Sequence, residues 1–162
     1  MRVLGIDPGL ATVGFGVVDS VNGRPVHVRH GAIKTAAGLP LERRLLTISE
    51  DLAELIDAFK PQEMAIEELF FNKNVTTGIS VAHGRGVVLM VAARYGLAVR
   101  EYKPQHVKMA VTGYGSAEKK QVMELTRQLL GLKAMPRPDD AADALAVAIC
   151  HIHTSGSLLG GL

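Results

Sequence analysis

The stretch VLGIDPGLATVGFGVVD, Val3 to Asp19, does most to limit what this chain can fold into. Val3 to Ile6 is a short apolar run, Asp7-Pro8-Gly9 is turn chemistry, and Val13 to Asp19 is apolar again. The pattern predicts a buried strand, a tight turn and a second strand. Gly14 and Gly16 alternate along that second strand and leave one of its faces bare, which permits close approach of another element. Asp7 closes the first apolar run, where an unpaired carboxylate costs on the order of several kcal/mol. It needs a partner. The N–H groups of the turn are one candidate and a cation is another.

The rest of the chain extends this start. Val26 to Thr35 alternates polar and apolar residues and predicts a third strand, so three successive strands form an antiparallel meander. Leu41, Leu45, Ile48, Leu52, Leu55 and Phe59 then recur at spacings of four and three, the stripe of an amphipathic helix that Lys60-Pro61 ends. Glu63 to Glu68 reads as a short buried strand. After a loop, a helix capped at Thr77 or Ser80 runs to about Tyr95, with Ala82, Gly84 and Gly86 allowing tight packing. Leu97 to Tyr102 is a fifth strand and Pro104 starts a short helix. Ser116 caps a further helix closed by Gly131. Asp139 to His153 is the last helix, with a frayed tail after it. The later strands are separated by helices, so they join in parallel by crossovers. The expected class is α/β, a mixed five-stranded sheet with helices on both faces.

Composition narrows the partners. Nearly half the residues are apolar (48%) and 21% are charged, as in an ordered globular protein. Net charge is only +2, but its distribution is uneven. Gly38 to Leu69 carries a net −5 and Arg100 to Arg137 a net +5. That is either two solvated helical faces or a dipolar molecule with a basic surface for a polyanion. One cysteine, Cys150, excludes an internal disulfide and sits in an apolar setting. No uninterrupted apolar run reaches membrane-spanning length, so a soluble cytoplasmic protein with no membrane partner is expected.

Four carboxylates stand where acids are unexpected. Asp7 ends the first strand and Glu67 the fourth. Asp140 and Asp143 open the last helix, three residues apart and therefore on one face. If the first and fourth strands are neighbours and the last helix starts against their ends, all four converge. Asp139 or Asp140 is also explicable as a helix cap, and Glu68 competes with Glu67. Asp143 lies between alanines beyond the first turn, where capping does not explain it. Four acids in one pocket raise each other's pKa. Hard divalent cations relieve this: Mg²⁺ takes oxygen ligands, and two such ions can clamp an in-line displacement at phosphorus. The histidines show no ligand spacing, so zinc is a poor match.

The segments GIDPGLATVGFGV, AIEELFFNKN, HGRG, VTGYGSAEKKQV and DDAADALAVAICHIH together resemble the RuvC family of crossover-junction endodeoxyribonucleases, in order, to about His153. The resemblance implies a ribonuclease-H-like fold, with residues 1–154 as one nuclease domain and 155–162 as a flexible C-terminal tail. It implies that Asp7, Glu67, Asp140 and Asp143 are catalytic and hold two Mg²⁺ ions per subunit, with Mn²⁺ able to substitute. It implies a homodimer that nicks opposed strands of four-way junction DNA symmetrically, in recombination and repair. A branch-migration motor complex (RuvA and RuvB) is the implied partner. Lys108 and Lys119 match the family's lysines, with Lys120 a rival to Lys119; Phe70 matches the loop aromatic, with Phe71 its rival. Arg85 is a candidate phosphate contact, and the Gly84/Gly86 helix a candidate dimer contact. Gly14 and Gly16 then leave clearance for either a helix or DNA. Competing readings are a ribonuclease-H-like nuclease for RNA or hybrid, an actin-like ATPase, and a non-catalytic junction-binding scaffold.

Overall fold

The computed structural model describes residues 1–69 and 75–159. Its strands are β1 (Arg2–Asp7), β2 (Thr12–Val21), β3 (Arg24–Lys34), β4 (Glu63–Glu67) and β5 (Ala98–Tyr102). Its helices are α1 (Leu41–Phe59), α2 (Val75–Arg94), α3 (Pro104–Thr112), α4 (Lys119–Leu129) and α5 (Asp139–Leu159). The sheet order is β3-β2-β1-β4-β5. The β1–β2 and β2–β3 pairs are antiparallel, and β1–β4 and β4–β5 are parallel. This is the mixed sheet expected from the sequence, with β1 and β4 as neighbours.

Side-chain alternation decides what each sheet face meets. Leu4, Ile6, Val13, Phe15, Met64 and Ile66 point into a core shared with α1 and α2. Val3, Val18 and Ala65 point into a second core built around α5, to which α3 adds Val107 and Val111 and α4 adds Val122. Gly5, Gly14 and Gly16 lie on this second face, and α5 fills the space they leave: a methyl group on Gly5 would strike the Ala144 carbonyl, and one on Gly16 the Leu145 side chain. The clearance that the glycines signalled is therefore for a helix.

Three local differences from the sequence reading have physical causes. Helix α4 starts at Lys119, because Glu118 and Gln121 form a reciprocal capping box; Ser116 is not its cap. Helix α2 is already formed at Val75, ahead of both proposed caps. Helix α5 continues to Leu159, past the boundary placed at residue 154. At that boundary the Thr154 hydroxyl donates to the Cys150 carbonyl (2.8 Å).

By length and composition α2 is apolar enough to cross a membrane. Its inward residues Val88, Val91 and Ala92 are buried in the core it shares with α1. Its outward side carries exposed Val75, Ile79 and Met90.

Candidate active site

Asp7, Glu67, Asp140 and Asp143 converge for reasons that the strand register makes plain. Ile6 pairs with Ile66 across parallel β1 and β4, so Asp7 and Glu67 follow one step later at adjacent strand ends. Both share the sheet face of Val3, Gly5 and Ala65, the face that α5 covers. The start of α5 rests on Gly14, itself the partner of Asp7 in the β1–β2 pair. Asp140 and Asp143 are thereby placed beside Asp7. From Ala141 to Ile152 every residue of α5 is buried except Asp143, which is partly open to solvent.

A cavity of about 300 Å³ opens here. Asp7, Glu67, Asp143, Lys108 and Lys119 supply its polar groups, and Ile6, Val107, Val122 and Ala146 are among its apolar walls. Lys108 comes from α3 and Lys119 from the first turn of α4, whose Nζ lies 3.4 Å from Asp143 Oδ2. Lys120 projects elsewhere, into a groove with Thr112, Tyr114 and Glu124. Of the two rival lysines, Lys119 is the one at the acids.

The electrostatics reflect crowded negative charge. Burial, then the charges of Asp143 and Asp140, a hydrogen bond with Asp140 and the Glu67 charge, push the Asp7 pKa up to about 8. Burial also raises Glu67, aided by Asp143 and opposed by Lys108 and Lys119. Burial raises Asp143 against the pull of Lys119. The Lys119 ammonium is disfavoured by its own partial burial, but Asp143, Asp139 and Asp7 outweigh this and raise its pKa. Asp7 therefore stands among like charges from both acids at the start of α5, and its carboxyl holds its proton well above the usual carboxylate range.

Among the described residues no three Asp, Glu, His or Cys side chains stand in a ready-made ligating arrangement. One of the acids, Asp143, is instead paired with Lys119. The donor set nonetheless fits a hard divalent ion, since it is all carboxylate oxygen and carries surplus negative charge. A cation held among these carboxylates would offset the like charges that help raise their pKa values. Among the described residues no zinc-type ligand group stands here. His151 is buried far along α5, with Nε2 2.7 Å from Glu63 Oε2 and Nδ1 2.6 Å from the Tyr102 hydroxyl. His153 Nδ1 lies 2.9 Å from the Ala110 carbonyl oxygen.

Two of the sequence-predicted contacts fare differently. Phe70 and its rival Phe71 lie outside the described residues. Arg85 is not on the surface, where a phosphate contact was expected. Its side chain is only 10% exposed, donates to the Glu67 carbonyl (3.1 Å) and pairs with Glu101 Oε1 (2.9 Å). The signal that would have placed it inside is its position: Val81, Arg85, Val88 and Ala92 lie at helical spacing on the inward side of α2. Gly84 is also committed within the chain, because a methyl group there would strike the Gly9 carbonyl. Gly86 faces open space.

A mixed sheet in this order, helices on both faces and acids gathered at two adjacent interior strand ends, is the ribonuclease-H-like class of nuclease fold. The profile of the family described as "Crossover junction endodeoxyribonuclease RuvC" matches residues 3–151, and the chain belongs to that family. It is 54% identical to the RuvC crossover junction endodeoxyribonuclease of Brevibacillus brevis, over 93% of this chain and 91% of that one. It is 51% identical to the corresponding protein of Chloroflexus aurantiacus, over 98% and 96%. Among solved structures it resembles T. thermophilus RuvC in complex with Holliday junction substrate, with a TM-score of 0.91 and 35% identity over 97% of this chain and 96% of that one.

Proposed function

We propose that this protein resolves four-way DNA junctions in recombination and repair, cutting two opposed strands by metal-assisted phosphodiester hydrolysis at the acid cavity. The observation that carries this reading is the joint placement of acids from β1, β4 and α5 with Lys108 and Lys119 around one opening, in a chain of this family. Asp7, Glu67, Asp140 and Asp143 would hold two Mg²⁺ ions, with Mn²⁺ able to replace them. When bound, such ions supply Lewis-acid polarisation of the phosphate and a water of lowered pKa. The protein's own groups do the rest. Lys119 and Lys108 place positive charge where the phosphate gathers negative charge. Water adds to phosphorus, the bond to the 3′ oxygen breaks, and that oxygen takes up a proton. The products are a 5′-phosphate and a 3′-hydroxyl end.

Paired cuts need two sites related by a two-fold axis. Val75, Ile79, Gly86 and Met90 form one outward stripe on α2, at spacings of four, seven and four, and the three larger ones are exposed. A second copy of this chain fits that stripe, since Gly86 permits close helix approach. The dimer acts in the cytoplasm, where the DNA is, together with the motor complex of RuvA and RuvB that family membership implies.

A labelled substrate panel with Mg²⁺ tests this. Wild type is expected to nick a four-way junction at symmetry-related sites in linked pairs and to leave linear duplex intact. Ile79→Glu is expected to shift the protein from dimer to monomer in sedimentation and to unlink the nicks. Preferred cleavage of RNA or RNA–DNA hybrid would favour the competing nuclease reading, and an inert wild type on junctions of several sequences would sink the proposal.

The two lysines separate in the same assay. Lys119→Ala is expected to lower the single-turnover rate by about 10–100-fold while junction affinity changes by about threefold or less. Lys120→Ala is expected to change that rate by about twofold or less, because it lines a different groove. Equal losses in rate from both substitutions would remove the distinction.

A further inference from the structure

We propose that Arg85 is a positioning residue that holds Glu67 in the geometry needed for metal binding. This rests on the reading of the acid cavity as a divalent-ion site.

Glu67 is the last residue of β4, so its carboxylate is placed only as well as the strand end is fixed. On one side the strand is held by β5, where Glu67 pairs with Tyr102 and the Glu68 N–H donates to the Tyr102 carbonyl (2.8 Å). On the face away from the cavity the holder is Arg85. One guanidinium nitrogen, Nη1, donates to the Glu67 carbonyl oxygen at 3.1 Å. The other, Nη2, meets Glu101 Oε1 at 2.9 Å, and Glu101 sits opposite Ile66 on β5. A planar guanidinium is thus locked between the ends of two adjacent strands, in a fork geometry that a lysine cannot reproduce. The preceding residue, Gly84, packs on the carbonyl of Gly9, two residues beyond Asp7. One turn of α2 therefore backs both strand ends that present acids.

The clamp lies behind the site and does not face the cavity. Its influence on a metal ion therefore passes through Glu67, as groups behind a ligand typically tune metal affinity by about 10–100-fold. A role in phosphate binding would predict a different pattern, loss of DNA affinity with metal affinity intact.

Mn²⁺ binding to the free protein, followed by electron paramagnetic resonance, reads the effect without substrate turnover. Arg85→Met and Arg85→Lys are expected to weaken Mn²⁺ binding by about tenfold or more and by a smaller factor, respectively. Both should leave junction affinity in EDTA within about twofold of wild type. Glu101→Gln, at a half-exposed carboxylate where misfolding is of little concern, is expected to weaken Mn²⁺ by about two- to threefold by slackening the guanidinium. Folding of each variant is checked by its melting curve. If Arg85→Met does not fold, Glu101→Gln decides the matter, and unchanged Mn²⁺ affinity in it overturns the proposal. Folded Arg85→Met with wild-type Mn²⁺ affinity also overturns it, whether or not junction affinity falls. A wild type that binds no Mn²⁺ would overturn the metal-site reading and the role of Arg85 together, whereas wild-type binding with unaffected variants removes the role of Arg85 alone.

Discussion

Asp7→Asn is expected to lower junction cleavage by about 10³-fold or more while retaining junction binding, and also to make the metal-free protein more stable at about pH 8. Both effects have one cause. Asp7 is crowded by Asp143, Asp140 and Glu67 in a buried site, which lifts its pKa to about 8. In the unfolded chain the same group releases its proton near its ordinary value of 3.8. Between those limits the folded state holds a proton that the unfolded state has lost. The unfolded state therefore binds fewer protons, and stability falls as pH rises. The contribution is full below about pH 4 and is lost by the time pH passes through about 8, with an overall size on the order of a few kcal/mol. Asparagine keeps the shape and removes the titration. Melting curves of metal-free wild type at about pH 5, 6.5 and 8 should show a declining Tm, with Asp7→Asn much flatter. Some slope will remain, because burial also raises Glu67 and Asp143. Mg²⁺ should stabilise wild type increasingly as pH rises, because the ion competes with the Asp7 proton, and it should stabilise the variant little. A variant that melts like wild type at every pH would contradict the crowded-acid account.

The same residues show how far sequence alone reaches. The turn chemistry after Ile6 and the alternation along β1 and β2 were enough to give the antiparallel start. The separating helices were enough to give the parallel remainder. The acids were legible because each broke a local rule: Asp7 at the end of an apolar run, Asp143 in a helix otherwise buried from Ala141 to Ile152. What periodicity does not carry is direction. Arg85 reads as a surface cation on composition, yet β4 needed a donor behind its end and the residue turned inward. Lys119 and Lys120 are adjacent in sequence and differ by about 100° around α4, so only packing assigns one to the acids. The cap of α4 was misplaced because Ser116 is the better intrinsic cap, while the Glu118–Gln121 pair satisfies two backbone groups at once.

Gly14→Ala tests the step from sheet to site. Gly14 lies opposite Asp7 in the β1–β2 pair, on the face where α5 begins. A methyl group there would overlap the carbonyl and Cβ of Asp140. The obstacle is mostly backbone, so no change of rotamer relieves it. Either the start of α5 lifts from the sheet or β2 bends away from it. Both movements separate Asp140 and Asp143 from Asp7, and both open a core that is otherwise closed from Ala144 to Ile152. Overpacking a tight core typically costs about 1–3 kcal/mol, and a backbone collision belongs at the upper end or beyond. For a chain of this size that is a Tm lower by about 6 °C or more. Gly38→Ala, where a methyl group meets open space, serves as the matched control and should move Tm little. Mn²⁺ affinity should fall with Gly14→Ala well beyond what the stability loss produces in a protein that is still folded at the assay temperature. The helix that buries the second core is also the element that carries two of the four acids. Packing and metal binding are therefore expected to fail together at Gly14, and a destabilised variant with intact Mn²⁺ affinity would show that the acids are placed by something other than the seat of α5 on β2.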